Sequence, residues 1–276
     1  MRFGPSPSPR FAFAAGLVLC MPASTACADD GLVRIGGTGM ALAAMQQLGE
    51  SLTAADRQIR VEVLPSLGTP GGLRALREGA IDVAVAGRPL KPDERAKGFV
   101  EAGCMTTALT FASSHPNPAG LRKADLPAIY ADESPLWPDG QPLKLLLRSR
   151  AGSENAYLSA AIPGMAAAIE KAYTHSGVPV ATTDQENADL AQRTAGSLAI
   201  MTLLQLRSER LDLRPVSLDG VTASAATLVD KSYPMTARIC AVLPAAPKPA
   251  AVKFAAHMKS ADGSAMIESM GATPSD

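Results

Sequence analysis

Four short motifs follow one another in this chain, each rich in glycine and hydroxyl residues. They are Gly36-Gly37-Thr38-Gly39-Met40, Ser66-Leu67-Gly68-Thr69-Pro70-Gly71-Gly72, Arg148-Ser149-Arg150-Ala151-Gly152-Ser153 and Thr194-Ala195-Gly196-Ser197-Leu198-Ala199-Ile200. In the first two, a β-branched apolar run ends in glycines and a threonine, and a helical pattern begins. A strand that turns into a helix in this way aims free backbone N–H groups and a side-chain O–H at one point, where the helix dipole favours negative charge. The third motif adds guanidinium groups, the usual partners of oxyanions. In this order the four motifs read as four walls of one anion pocket.

The first residues indicate where the chain works. Arg2 and Arg10 precede an uncharged apolar run over 11–21, and Ala26-Cys27-Ala28 is a small-x-small site just before Asp29-Asp30. This is the pattern of a secretory signal peptide spanning 1–28. The run is short for a membrane span. A lipoprotein reading has less support, because Leu19 precedes Cys20 where a small residue is wanted, and Ser24 stands where leucine is usual before Cys27. The destination expected is the periplasm.

The sequence holds 26 basic and 26 acidic residues; loss of the leader removes two arginines and no acids, for a net charge near −2. That balance argues against a nucleic-acid surface. Two cysteines remain, Cys104 and Cys240, both in strand-like runs. A disulfide in an oxidising compartment and a pair of buried thiols both fit.

Strand patterns at 32–35, 59–64, 81–86 and 104–112 alternate with helical patterns at 40–52 and 71–78. The rhythm resumes with strands at 143–147, 198–202 and 237–243, and helices at 155–161, 165–173, 249–258 and 264–270. Pro116, Pro118, Pro135, Pro138 and Pro142 prevent a long helix between the two halves. The alternation predicts a mostly parallel sheet covered by helices.

Read together, the motifs resemble those of the phosphate-binding periplasmic solute-binding proteins of ABC importers. The resemblance rests on Gly37-Thr38-Gly39-Met40, on Gly68-Thr69-Pro70-Gly71-Gly72-Leu73, and on Gly79-Ala80-Ile81-Asp82-Val83-Ala84. It continues through Trp137-Pro138-Asp139-Gly140, Arg148 with Gly152-Ser153, Gly196-Ser197-Leu198-Ala199 and Tyr233-Pro234. It implies the type II two-lobe α/β fold, each lobe a mixed sheet flanked by helices, with the ligand in the cleft. Residues 29–110 plus 225–276 would form one lobe and 111–224 the other. The cysteines lie near the expected crossings, where a Cys104–Cys240 bridge would fit.

The resemblance also implies a ligand set: Thr38, Gly39, Met40, Thr69, Arg148, Ser153, Glu154 and Asn155. Arg150 competes with Arg148, being closer to Gly152-Ser153; Arg148 is preferred because it directly follows Leu145-Leu146-Leu147. Two departures stand out. The family places an aspartate, an acceptor for the proton on phosphate, where this chain has Gly87, and Arg88 beside it could supply extra charge. Glu154 and Asn155 replace the usual Gly-Thr after the serine, so Glu154 must point away or pair with Arg148, Arg150 or Arg88. Thr69→Ala and Arg148→Ala are each expected to weaken anion binding without unfolding the protein.

His115, His175 and His257 show no metal-ligand spacing or adjacent nucleophile, and no P-loop or Gly-x-Gly-x-x-Gly is present. The reading is therefore not an enzyme and without cofactor: a monomeric exported protein that captures a small oxyanion, inorganic phosphate first, and docks on a membrane permease. The alternatives are a family relative serving as sensor or accessory to a membrane partner, and a binder of a different oxyanion.

Overall fold

The computed structural model describes residues 31–275 together with Met1 and Gly4. The expected leader, with Cys20 and Cys27, otherwise lies outside the described residues. Among the described residues ten strands are formed: β1 Leu32–Gly37, β2 Arg60–Val63, β3 Val83–Ala86, β4 Val100–Ser113, β5 Lys144–Arg148, β6 Val180–Ala181, β7 Ser197–Thr202, β8 Arg214–Val216, β9 Thr236–Leu243 and β10 Ala272–Ser275. They join in one curled sheet of order β2-β1-β3-β9-β4-β7-β5-β6, with β8 and β10 also paired to β4.

The sheet is mixed, not mostly parallel as the strand–helix rhythm alone predicts. β1 pairs in parallel with β2 and β3, and β5 in parallel with β6 and β7. The centre is antiparallel: β4 opposes β7, β8, β9 and β10, and β9 opposes β3. Parallel neighbours need a crossover, usually a helix. β4 and β9 instead run between the two halves of the molecule, so no such crossover sets their direction.

β4 is the spine. Its 14 residues extend about 46 Å at the usual rise per strand residue, enough to serve two cores. Met105 packs with Ile35, Met45, Leu48 and Phe254 at one end. Leu109 and Phe111 pack with Leu126, Trp137, Leu146 and Leu158 at the other. On the return, Ala237 belongs to the second core and Ile239 to the first. Leu228, Tyr233 and Met235 also pack in the second core, so the apolar contacts change hands within β9. Cys104 and Cys240 face each other across the β4–β9 pair and are joined as a disulfide.

The ends of β1 and β3 bring the first two motifs together. Gly37 has φ 145, and a Cβ there would lie 2.2 Å from the Val85 carbonyl oxygen. A Cβ on Gly72 would lie 2.7 Å from Gly37 Cα. Glycine at both positions lets the loop after β1 nest on β3 and on the first turn of helix Gly68–Arg77. The Thr38 N–H then donates to the Val85 carbonyl at 2.9 Å. Gly37→Ala must push this loop off β3. It is expected to lower the unfolding free energy by about 2–4 kcal/mol, measured by denaturant titration; an unchanged midpoint would contradict this packing.

Candidate functional site

A cleft of about 290 Å³ lies where the loops after β1, β2, β5 and β6 meet. From one half come Thr38 and the start of helix Gly68–Arg77, with Thr69 and Arg74. From the other come Arg148, Ser153 and Glu154, and the turn Thr182-Thr183-Asp184. Helices Gly68–Arg77 and Ser153–Ala161 begin in the cleft with no side chain capping them. Their first-turn N–H groups, which no helix can satisfy internally, are therefore left for a ligand or solvent.

The hydroxyl groups are placed by backbone bonds. Thr69 Oγ1 accepts from the Gly87 N–H at 2.9 Å, which leaves its own O–H to donate. Thr183 Oγ1 caps helix Asp184–Arg193 by accepting from the Glu186 N–H at 3.1 Å. Thr38, Thr69 and Ser153 therefore present donors from both halves.

The floor of the cleft is a buried charge cluster. Arg148, Glu154 and Asp184 are 4%, 1% and 4% exposed. Arg148 Nε donates to Glu154 Oε1 at 2.9 Å, and its Nη2 lies 3.2 Å from Asp184 Oδ1. Its Nη1 donates to the Ala181 carbonyl at 3.1 Å and to that of Thr183. Burial opposes the charge on Arg148, but Glu154 and Asp184 outweigh it and hold the guanidinium above its ordinary pKa. Burial pushes the Asp184 carboxyl up to about 8, and the nearby Glu154 charge adds to the rise, while Arg148 and the Gly39 N–H pull against it. A side-chain hydrogen bond with Glu154, which favours the protonated carboxyl, adds to the rise.

Asp184 also closes the cleft. It accepts from the Gly39 N–H across the two halves, and Gln185 Nε2 donates to the Gly39 carbonyl at 3.1 Å. A Cβ on Gly39 would lie 2.5 Å from both side chains, so only glycine permits this approach. Thr202 Oγ1 donates to the Met40 carbonyl at 3.1 Å.

Several residues from the expected ligand set lie elsewhere. The Met40 side chain is buried in the first core. Asn155 bonds the Ser149 carbonyl and Tyr173 Oη. Arg88 forms a bidentate pair with Glu94 at 2.8 and 2.7 Å, and Arg150 pairs with Glu170 and lies over the Tyr173 ring. Neither arginine lines the cleft. Gly87 sits beneath Thr38, and a Cβ there would lie 3.1 Å from Thr38 Oγ1. The fourth motif is not a wall: Ser197 Oγ bonds the Ala191 carbonyl and the Ser114 N–H, and Gly196 turns the chain into β7. The fourth wall is Thr182-Thr183-Asp184, whose signature was available in sequence as the capping box Thr183-x-x-Glu186. Arg74 was the other residue missed; it is exposed in the cleft and has no ion-pair partner among the described residues.

Removing Arg148 would strand Glu154 and Asp184 in the interior. Arg148→Ala is therefore expected to cost about 3–5 kcal/mol of stability, contrary to the sequence-based expectation that it is harmless to the fold. Asp184 gives a cleaner test. Its folded pKa stands above its unfolded value of 3.8. Between the two values the unfolded chain releases the proton and the folded chain keeps it, so stability declines as pH rises toward 8. Asp184→Asn should flatten the fall of Tm between about pH 5 and about pH 8. Equal slopes in the two proteins would remove Asp184 from the account.

The PBP superfamily domain matches residues 22–262 of the chain. The fold is similar to a protein of Clostridium perfringens described as a phosphate ABC transporter substrate-binding protein and solved with phosphate bound. That match has 16% identity and a TM-score of 0.73, covering 89% of this chain and 100% of that one. An ABC-type phosphate transport receptor of Vibrio cholerae is similar at 14% identity and a TM-score of 0.59, over 87% and 99% of the chains. The reduced form of OxyR from N. meningitidis is similar too, at 10% identity and a TM-score of 0.58, over 89% and 100%. A comparison with curated proteins finds no match. At such identities the structures speak to the fold, which transport and regulatory proteins share; the domain match over most of the chain shows that it belongs to the PBP superfamily.

Proposed function

We propose that this protein is an exported receptor that captures a small protonated oxyanion, inorganic phosphate first, and delivers it to the membrane permease of an ABC importer. One observation carries the reading: two uncapped helix N-termini and the hydroxyls of Thr38, Thr69 and Ser153 converge on one cleft from both halves. The likeness to the phosphate-bound Clostridium protein and the Vibrio phosphate receptor supports the choice of phosphate. Among the described residues no helix is long and apolar enough to cross a membrane.

The buried cluster bears on selectivity. Gly87 offers no acceptor for the proton of a protonated anion, but Glu154 and Asp184 line the cleft. A carboxylate there gives that proton a partner and repels a fully ionised anion, a polar discrimination that binding sites make strongly. Arg148 is already balanced by two carboxylates. Protonation of Asp184 removes the excess negative charge of that cluster, and net positive charge in the cleft comes from Arg74.

A second reading is favoured by the contacts of Asp184 and Gln185 on Gly39, which hold the halves together with the protein's own groups. A protein closed in this way could present one state to a membrane partner as a sensor or accessory. Turnover of substrate has no place in either reading.

Calorimetric titration of the mature protein with phosphate and sulfate tests the proposal. Phosphate should bind more tightly, and Thr69→Ala should weaken it by about tenfold, the worth of one hydrogen bond to a charged group. Sulfate keeps its charge throughout, so its affinity should fall as Asp184 ionises near pH 8, and the fall should vanish in Asp184→Asn. No binding of either anion would favour the sensor reading.

A further inference from the structure

Ser66 and Thr183 line both the oxyanion cleft and a second, more open hollow of about 540 Å³. The character changes there. Leu42, Ala43, Val63, Leu64 and Pro65 form one side of the hollow, from the same half as Thr38 and Thr69. Gln185 and Glu209 stand opposite, from the other half. Their polar groups are turned to each other: Gln185 Nε2 donates to Glu209 Oε1 at 2.8 Å, and Gln205 Nε2 approaches both Glu209 oxygens at 3.3 Å. Apart from the exposed Gln46, what this hollow offers a ligand is an apolar face.

The two spaces together exceed what a bare anion needs. A water molecule takes about 30 Å³ of liquid, so a tetrahedral oxyanion of five heavy atoms, about 150 Å³ on that scale, fills about half of the 290 Å³ cleft and none of the second hollow. Arg148 supplies little unbalanced charge, as its two carboxylates show. A ligand that also buries apolar surface would recover affinity that charge alone does not supply.

We infer that the ligand is a substituted oxyanion, a phosphonate or phosphate monoester, with its head at Thr38, Thr69 and Ser153 and its alkyl or aryl part in the Leu42–Leu64 hollow. This rests on the oxyanion reading of the cleft and narrows it. The substituent leaves the head between Ser66 and Thr183, one from each half, so closure grips both parts of the molecule.

Phosphate, methylphosphonate and phenylphosphonate are the probes, titrated calorimetrically into the mature protein. Phenylphosphonate should bind about tenfold or more tighter than methylphosphonate, as burial of most of a ring implies. Ala43→Phe, at a half-exposed helix position, fills the hollow and should lower the ratio of phenylphosphonate to phosphate affinity by about tenfold. Leu64→Asn should lower the same ratio by making the hollow polar. If phosphate binds and phenylphosphonate binds no better than methylphosphonate, the inference is overturned and the oxyanion reading stands. A phenylphosphonate advantage that survives both substitutions also overturns it, by placing the ring elsewhere. If none of the three binds, both fall together.

Discussion

A guanidinium buried between two carboxylates fixes the cleft of this protein. Arg148 ends β5, Glu154 lies in the first turn of helix Ser153–Ala161, and Asp184 begins helix Asp184–Arg193; the arginine ties all three elements to the carbonyls of Ala181, the last residue of β6, and Thr183 just after it. None of the three side chains is stable there alone, because an unpaired buried charge costs several kcal/mol. Asp184 then reaches across to the Gly39 N–H, so the cluster that organises one half also grips the other. The close fit of Gly39 and the capping by Thr183 bring these groups together.

The same cluster decides what the cleft can hold. An arginine with no counter-charge would attract any anion. Here the charge is balanced within the protein, and Asp184 keeps a proton into the neutral range. Attraction therefore falls to helix N-termini, hydroxyl groups and the rim residue Arg74, which discriminate by geometry and protonation more than by charge. The fold alone does not choose the ligand, as its likeness to both phosphate receptors and OxyR makes plain.

Much of the framework was legible locally. Strands β1 and β5 and the helices that follow the first two motifs come from short-range patterns of apolar residues, glycine and threonine, and the places of Thr38 and Thr69 follow from them. The antiparallel centre was not legible, because β4 and β9 find each other across 136 positions at the disulfide and no local pattern records such a pairing. The requirement that Glu154 either pair with an arginine or point away was legible; that Arg148 is its partner was not, since Arg88 and Arg150 follow similar loops and found Glu94 and Glu170 instead. Asp184 was missed for the same reason. Its helix start has a readable capping box, but its role depends on Arg148 and Gly39, which only the tertiary fold brings near.

The central claim is that an oxyanion sits between the halves on the donors of Thr38, Thr69 and Ser153, above the Arg148 cluster. A crystal structure of the ligand-stripped mature protein soaked with phosphate tests it most directly. The account predicts a tetrahedral density within hydrogen-bond distance of the Thr38 and Thr69 hydroxyls and the first N–H groups of helix Ser153–Ala161, with Glu154 or Asp184 facing one anion oxygen. A soaked crystal in which the cleft holds no phosphate, or in which phosphate lies only on surface arginines such as Arg150, would contradict it.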